Sequence, residues 1–279
     1  MNENVERRLP FDGAVNFRDL GGYDVGQGRR TRWRCLYRSD SLADLTEEDL
    51  ARLATLNLHG LIDFRVPQER RSHPNRLPTD HSMRMVEIGF WPEGVVEMLS
   101  ALRALTIDAT GVERAVISHY RRYPFHHKAE YRQMLEVIEE AAGRPMLFHC
   151  VSGKDRTGFG AAVILMALGA TPSVILQDYL LTNSYRRDIG HLMPPGTPVS
   201  VAQVFTAANA LYLEAAFSTI KQTYGSVDAY LEQGLGFDDK RRANLRNLLT
   251  EVPPKSPAST ASHDGEALTS TSPRRGVPE

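Results

Sequence analysis

The sequence predicts an α/β fold, with a central, mostly parallel sheet flanked by helices. Three observations carry that expectation. Short apolar runs of strand length alternate with longer stretches of helical periodicity. One run, Met146–His149, is apolar enough to be covered on both faces, as strands of parallel sheets are. It is soon followed by Thr157–Leu168, apolar nearly all round, which reads as a buried helix.

The elements follow in chain order. Arg34–Tyr37 is the first expected strand. Thr46 caps a helix to about Leu56, with Asp49 three residues on, close to a capping box. His59–Phe64 and Met83–Ile88 are the next two strands. Residues 93–123 are mostly helical and carry arginines and histidines. That stretch is long for a crossover and is expected to form a helical lid insertion. Tyr131, Leu135 and Ile138 form an apolar stripe ahead of the fourth strand, Met146–His149, which Gly143 and Pro145 bound. Thr171-Pro172 opens a helix through about Asn183. Helical stretches then cover Val201–Tyr224, Val227–Gln233 and Asp239–Leu249.

Of the 279 residues, 42% are hydrophobic and 24% charged, enough for a core of real size. Lys and Arg number 33 against 34 Asp and Glu, for a net charge of −1. That balance excludes a globally basic nucleic-acid binder, so no nucleic-acid partner is expected. Two cysteines, Cys35 and Cys150, make no disulfide framework, and a reducing compartment fits. The first ten residues carry Glu6, Arg7 and Arg8 and no apolar core of a signal peptide. The longest apolar run, Phe159–Ala170, falls short of the roughly 20 residues a membrane span needs. A soluble, cytoplasmic protein is therefore expected, with export by a route lacking a signal peptide left open. Glu251–Glu279 is rich in Pro, Ser and Thr and poor in large apolar residues. It is expected to be a disordered tail on a single domain, residues 1–250.

The chemistry concentrates in residues 148–160, Phe-His-Cys-Val-Ser-Gly-Lys-Asp-Arg-Thr-Gly-Phe-Gly. A buried strand ends at Cys150, a short polar loop follows, and a buried helix begins. Backbone N–H groups of such a loop, with the helix N-terminus, cradle an anion. Gly153 and Gly158 permit the tight backbone that a cradle needs. Cys150 sits at its base, where the helix dipole and nearby cations favour a thiolate. Arg156 lies across the loop, and its planar fork grips two phosphate oxygens. Thiolate, cradle and Arg together describe in-line attack on a phosphate monoester with a phosphocysteine intermediate. A nucleotide-binding P-loop is excluded. Asp155 stands where that motif needs Ser or Thr, and Phe148 stands where it needs Gly.

His-Cys, five residues, then Arg-Thr-Gly resembles the signature of the cysteine-dependent tyrosine phosphatases. The fuller HCVSGKDRTG resembles an atypical microbial branch, with mycobacterial members, that acts on phosphotyrosine and phosphoinositides. Asn16-Phe17-Arg18-Asp19-Leu20-Gly21-Gly22, Tyr37-Arg38-Ser39, Leu61-Ile62-Asp63-Phe64-Arg65 and Tyr224-Gly225-Ser226-Val227 are similar to that branch as well. The likeness spans roughly Ala14 to Leu249 and is weakest over the lid. It implies a tyrosine-phosphatase-like fold and a metal-independent phosphatase without cofactor. Cys150 is then the nucleophile and Arg156 the phosphate ligand. Val151, Ser152, Gly153, Lys154 and Thr157 bind substrate. Lys154 faces the pocket and favours substrates more anionic than phosphotyrosine, while Thr157 bonds the sulfur. His149 orients the loop from beneath.

Three carboxyls compete for the general acid. Asp155 stands first because the family loop carries it. Asp63 is second, at the end of a strand. Glu93 is third, in Trp91-Pro92-Glu93, similar to a mobile Trp-Pro-Asp loop of larger tyrosine phosphatases.

Blander roles are expected elsewhere. Cys35 reads as an inert core residue, with a disulfide to Cys150 conditional on their approach. Arg65 and Glu69 read as a pair, either bracing the site or on the surface. Arg18 and Asp19 read as turn residues. His126-His127 lack the companions of a metal site and are expected to be exposed. Arg114, Arg121 and Arg122 read as a solvated helix face. The partners expected are phosphorylated proteins or phosphoinositides. A phosphate-recognition module without turnover is the alternative, and a thiol redox enzyme of the arsenate-reductase kind ranks third.

Overall fold

The computed structural model describes residues 7–185 and 193–253. The strands along the chain are β1 (Arg18–Asp19), β2 (Arg30–Thr31), β3 (Leu36–Ser39), β4 (Gly60–Asp63), β5 (Arg84–Glu87), β6 (Met146–His149) and β7 (Thr250–Glu251). The helices are α1 (Glu47–Thr55), α2 (Pro67–Ser72), α3 (Val95–Arg103), α4 (Ala109–His126), α5 (Lys128–Glu140), α6 (Arg156–Leu168), α7 (Pro172–Leu180), α8 (Thr182–Tyr185), α9 (Val199–Thr206), α10 (Ala210–Tyr224), α11 (Val227–Ala229) and α12 (Asp239–Leu249). A wide turn of π-helix, Tyr230–Gly234, follows α11.

The central sheet has the order β1-β3-β6-β4-β5. β3, β6, β4 and β5 are parallel, and β1 joins the edge antiparallel. Alternation along the strands assigns their two faces. Tyr37, Leu61 and Leu147 pack with Phe11, Phe17 and Leu53 on one side. Leu36, Ile62, Met146 and Phe148 face the larger core, with Met134, Leu135 and all the apolar residues of α6. Every residue of α6 is buried, which explains its near-uniform apolar sequence. Ser39, His149 and Asp63 are in register at the carboxyl ends of β3, β6 and β4. The loop after β6 leaves the sheet there, where ligands of open α/β sheets bind.

The fold class matches the expectation, and the boundaries differ where turn chemistry intervenes. The first strand begins at Leu36, because Arg34 turns the chain at φ 62°. Val201–Tyr224 is two helices. The chain is extended at Ala207, and Asn209 caps α10 through Leu211 N–H at 3.1 Å. The helix after Thr171 breaks at Leu181. Glu251, expected to open the tail, pairs with Arg30 in β7. The rest of that segment from residue 254 lies outside the described residues. The 93–123 insertion is helical, and the inner face of α4, with Tyr120 and Tyr123, belongs to the core. Among the described residues, no helix is long and apolar enough to cross a membrane.

Candidate active site

The loop from Cys150 to Asp155 has its carbonyls tied from outside. His149 Nδ1 donates to the Cys150 carbonyl at 3.1 Å. Ser41 N–H donates to Val151 O at 2.9 Å. Asn16 Nδ2 donates to Ser152 O at 3.1 Å, and Arg38 Nη2 to Gly153 O at 2.6 Å. With the carbonyls held outward, the amides of Val151, Ser152, Gly153 and Asp155 donate to no acceptor among the described residues. Such a ring of free N–H groups is an anion cradle. Gly153 has φ +67°, and a Cβ there would stand 2.7 Å from Ser39 O, so only glycine lets the loop lie this close to β3.

The ties are themselves braced. Arg18 and Arg38 are fully buried and share Asp178 of α7. Asp178 accepts from Arg18 Nε at 3.0 Å and from the Tyr23 hydroxyl at 3.1 Å, as well as from Arg38 Nη1. Burial pushes the Asp178 carboxyl up, but Arg18 and Arg38 outweigh it and hold it well below the usual carboxylate range. Arg18 Nη1 also engages Asn16 Oδ1, which leaves the Asn16 amide free to reach Ser152 O. Arg18 is thus a brace of the loop rather than a turn residue. Asp19 does serve the turn, accepting from Gly21 N and Arg34 N at 2.7 Å each.

Cys150 directly follows β6 and is 1% exposed, with a free thiol. Arg156 opens α6 on the far side of the loop. Glu69 of α2 takes its guanidinium end-on, from Nη1 at 2.7 Å and Nη2 at 2.8 Å. Phe64 O at 2.9 Å and Phe90 O at 3.3 Å hold Nη1 further. These bonds leave Nε–H and the second Nη2–H, one two-pronged edge, for an oxyanion. Burial lowers the Arg156 pKa, but Glu69 and Cys150 more than reverse that, so the charge is permanent. The Trp91 ring lies 5.8 Å from its Cζ.

The expected Arg65–Glu69 pair is not formed. Arg65 instead forks onto Asp63 at 2.8–3.2 Å, because Asp63 is two residues away on the same buried strand end. Asp63 also accepts from Asn75 Nδ2 at 3.1 Å and faces His149 Nε2 at 3.4 Å. Burial raises its carboxyl, yet His149 and Arg65 hold it far below the usual range. It is 1% exposed and has no proton to give near neutrality. Glu93 is bound to His126 and to Arg122 of α4 at 3.1 Å, on a half-exposed surface. Asp155 is the candidate carboxyl on the loop itself. Its side chain is one-third exposed and accepts from the Tyr120 hydroxyl at 3.1 Å.

Three further expectations meet a different geometry, while the reading of Cys35 as an inert core residue holds. Lys154 does not face the pocket. Its buried ammonium donates to Phe205 O at 2.6 Å and Ala207 O at 3.4 Å, because the last carbonyls of α9 need a cation. Thr157 Oγ1 is buried without any hydrogen-bond partner, so it makes no bond to sulfur. His127 is buried and stacks on Phe90, with ring centroids 4.1 Å apart, while His126 is the exposed one of the pair. Cys35 cannot meet Cys150. Leu36 lies opposite Met146, so the two cysteines are about five residues apart along the sheet, roughly 16 Å, against the roughly 7 Å limit for a disulfide. Burial also pushes the Cys35 thiol up, away from reactivity.

Sequence reasoning missed Glu69 as the holder of Arg156 and Asp178 as the anchor of Arg38. Asn16, Arg18 and Arg38 stood in quoted motifs, but nothing local told that they clasp the loop.

Comparison with known proteins places the chain in a family. The model of the tyrosine phosphatase family matches residues 9–251. A protein of Cupriavidus necator named as a tyrosine-protein phosphatase is 33% identical over 238 residues, 82% of this chain and 85% of that protein. The triple specificity protein phosphatase PtpB of Mycobacterium tuberculosis is 31% identical over 278 residues, 87% of this chain and 98% of that protein. The crystal structure of Pseudomonas aeruginosa TpbA covers 70% of this chain and 94% of its own at 18% identity, with a TM-score of 0.33, a likeness too loose to carry an argument. From the family match over nearly the whole described chain, the protein belongs to the tyrosine phosphatase family and is a phosphoric monoester hydrolase.

Proposed function

We propose that the protein hydrolyses phosphotyrosine, together with phosphoserine, phosphothreonine or phosphoinositide monoesters, through a phosphocysteine at Cys150. One observation carries this reading: the buried Cys150 lies at the base of a loop whose carbonyls are tied outward and whose amides are free. The phosphoryl group sits in that ring of N–H donors, and the free edge of Arg156 grips two of its oxygens. The thiolate attacks phosphorus in line, the P–O bond to the leaving group breaks, and Asp155 protonates the departing oxygen. Asp155, now ionised, takes a proton from water as it attacks the phosphocysteine, which restores the thiolate and releases phosphate. Charge on the equatorial oxygens is met by groups already in place, which is where such catalysts gain most.

One comparison supports the wider substrate range: the Mycobacterium relative is named for triple specificity. Turnover is favoured over mere phosphate recognition, because Cys150 and Arg156 are both present and Glu69 holds the latter in place.

The test is phosphate release by wild type and Cys150→Ser, with EDTA present throughout. Substrates are phosphotyrosine, phosphoserine and phosphothreonine peptides and a panel of phosphoinositides. Release that requires Cys150 and ignores EDTA is expected. Unchanged release by Cys150→Ser overturns the nucleophile, and binding of esters without any release by wild type favours the recognition module.

A further inference from the structure

Two tyrosines outside the loop form a directed chain onto the candidate acid. Tyr120 of α4 and Tyr179 of α7 are both fully buried, and their hydroxyl oxygens lie 2.8 Å apart. The Tyr120 hydroxyl donates to Asp155 Oδ1 at 3.1 Å. A phenol carries one proton. Tyr120 gives its own to Asp155, so Tyr179 is the donor in the pair. The direction runs Tyr179 to Tyr120 to Asp155.

This chain orients and does not conduct. Burial pushes both phenols well above their ordinary range, with Asp155 adding to the effect, so neither gives up its proton in catalysis. The Tyr120 ring has little freedom. It packs edge-on against Tyr123 and Tyr179, with centroids 5.2 and 6.0 Å away, and tilts against Tyr212 at 5.7 Å. Asp155 Oδ1 is therefore referenced to the packed helices rather than to its own exposed loop. Lys154 Nζ lies on the same oxygen, at 3.7 Å. With Oδ1 engaged twice, Oδ2 is left as the oxygen that exchanges a proton.

We infer that Tyr120, held by Tyr179, is a positioning residue that fixes the Asp155 carboxyl so that Oδ2 delivers the proton to the leaving group and later accepts one from water. The inference rests on the reading of Asp155 as general acid, and deepens it. It also gives the insertion helix α4 a part in the chemistry.

The test compares kcat/KM on two esters in the full chain. A phosphotyrosine peptide has a phenolic leaving group that needs a proton, and a dinitrophenyl phosphate has one that does not. Tyr120→Phe keeps the ring and removes the hydroxyl. It is expected to lose about tenfold on the peptide, the size of one hydrogen bond to a charged group, and less than about twofold on the dinitrophenyl ester. Asp155→Asn is expected to show the same selectivity with about a hundredfold loss, and the double variant to be no worse than Asp155→Asn alone. Tyr179→Phe, which frees Tyr120 from its donor, is expected to show the same pattern at smaller size. It also serves if Tyr120→Phe does not fold. Equal losses on both esters for the tyrosine variants, or additivity with Asp155→Asn, overturn the inference. If Asp155→Asn itself shows no leaving-group selectivity, the acid assignment falls and the inference falls with it.

Discussion

Glu69→Gln isolates the hold on Arg156. The Glu69 carboxylate receives Arg156 Nη1 at 2.7 Å and Nη2 at 2.8 Å, and it caps α2 by accepting Val66 N–H at 2.9 Å. Glutamine keeps a single acceptor oxygen that still takes the Val66 N–H, so the helix start survives. One of the two guanidinium bonds is lost, an amide donor faces a donor, and the countercharge is gone. A hydrogen bond to a charged group contributes about 1.5–3 kcal/mol. Phe64 O and Phe90 O continue to hold Nη1, so only the Nη2 side swings free. That side belongs to the edge that meets phosphate. A loss of about 2–3 kcal/mol in transition-state binding corresponds to about 30- to 150-fold in kcat/KM. The assay is initial-rate hydrolysis of a phosphotyrosine peptide, with inhibition by inorganic phosphate as the partner measurement. Both are expected to weaken, because Arg156 grips product as well as transition state. A loss in kcat/KM below about threefold, under about 0.7 kcal/mol, means that the two carbonyls alone place Arg156 and refutes the reasoning.

Asp178→Asn leaves Arg18 and Arg38 buried without a carboxylate. It is expected to destabilise the fold by about 3–5 kcal/mol in a denaturant titration, and a loss under about 1 kcal/mol contradicts the paired account. Arg38→Met unties Gly153 O from β3; phosphate inhibition and turnover are both expected to weaken, and an unaltered phosphate affinity means the loop keeps its shape without that tie. The pH dependence of thermal stability has a worked sign. Burial raises Asp19 to about 6, against the pull of Arg34 and Gly21 N–H, so the folded state holds that proton more tightly than the unfolded one and its contribution to Tm rises as pH falls from 7 toward the unfolded value. Asp63 and Asp178 are depressed, so their contribution is present above about pH 4 and is lost as pH falls below it. Burial lowers the His119 pKa and works against Asp19 over the same range, so the sign is read as a difference: the Tm of wild type minus that of Asp19→Asn is expected to rise as pH falls from about 7 toward about 4, and a difference that stays flat or falls contradicts the assignment of Asp19.

What the sequence made legible follows contiguity. The strand, loop and helix around Cys150 are adjacent residues, so their hydrophobic run, glycines and Arg spacing could be read directly. The parallel core strands and α6 announced themselves by burial on all sides. The supports of the loop were not legible, because each joins distant segments. Arg156 meets Glu69 across 87 residues, and Arg38 meets Asp178 across 140. Periodicity carries no trace of such pairings. The two-residue strands β1, β2 and β7 are too short for alternation to show. Lys154 was misplaced for a related reason. Its partner is the carbonyl end of α9, and that end exists because the chain turns at Ala207, inside what reads as one helical run. Glu69 was read with Arg65, four residues away, whereas the nearer Asp63 took Arg65 and left Glu69 for Arg156.

The central claim is a covalent phosphoryl group on Cys150. Wild-type protein mixed with a phosphotyrosine substrate, quenched in acid within the first turnovers and digested, gives that claim its most direct measurement by mass spectrometry. The account predicts a phosphoryl adduct on the peptide containing Cys150 in the wild type, and none in Cys150→Ser. An active enzyme that shows no adduct at Cys150 at any quench time, or one on another residue, contradicts it.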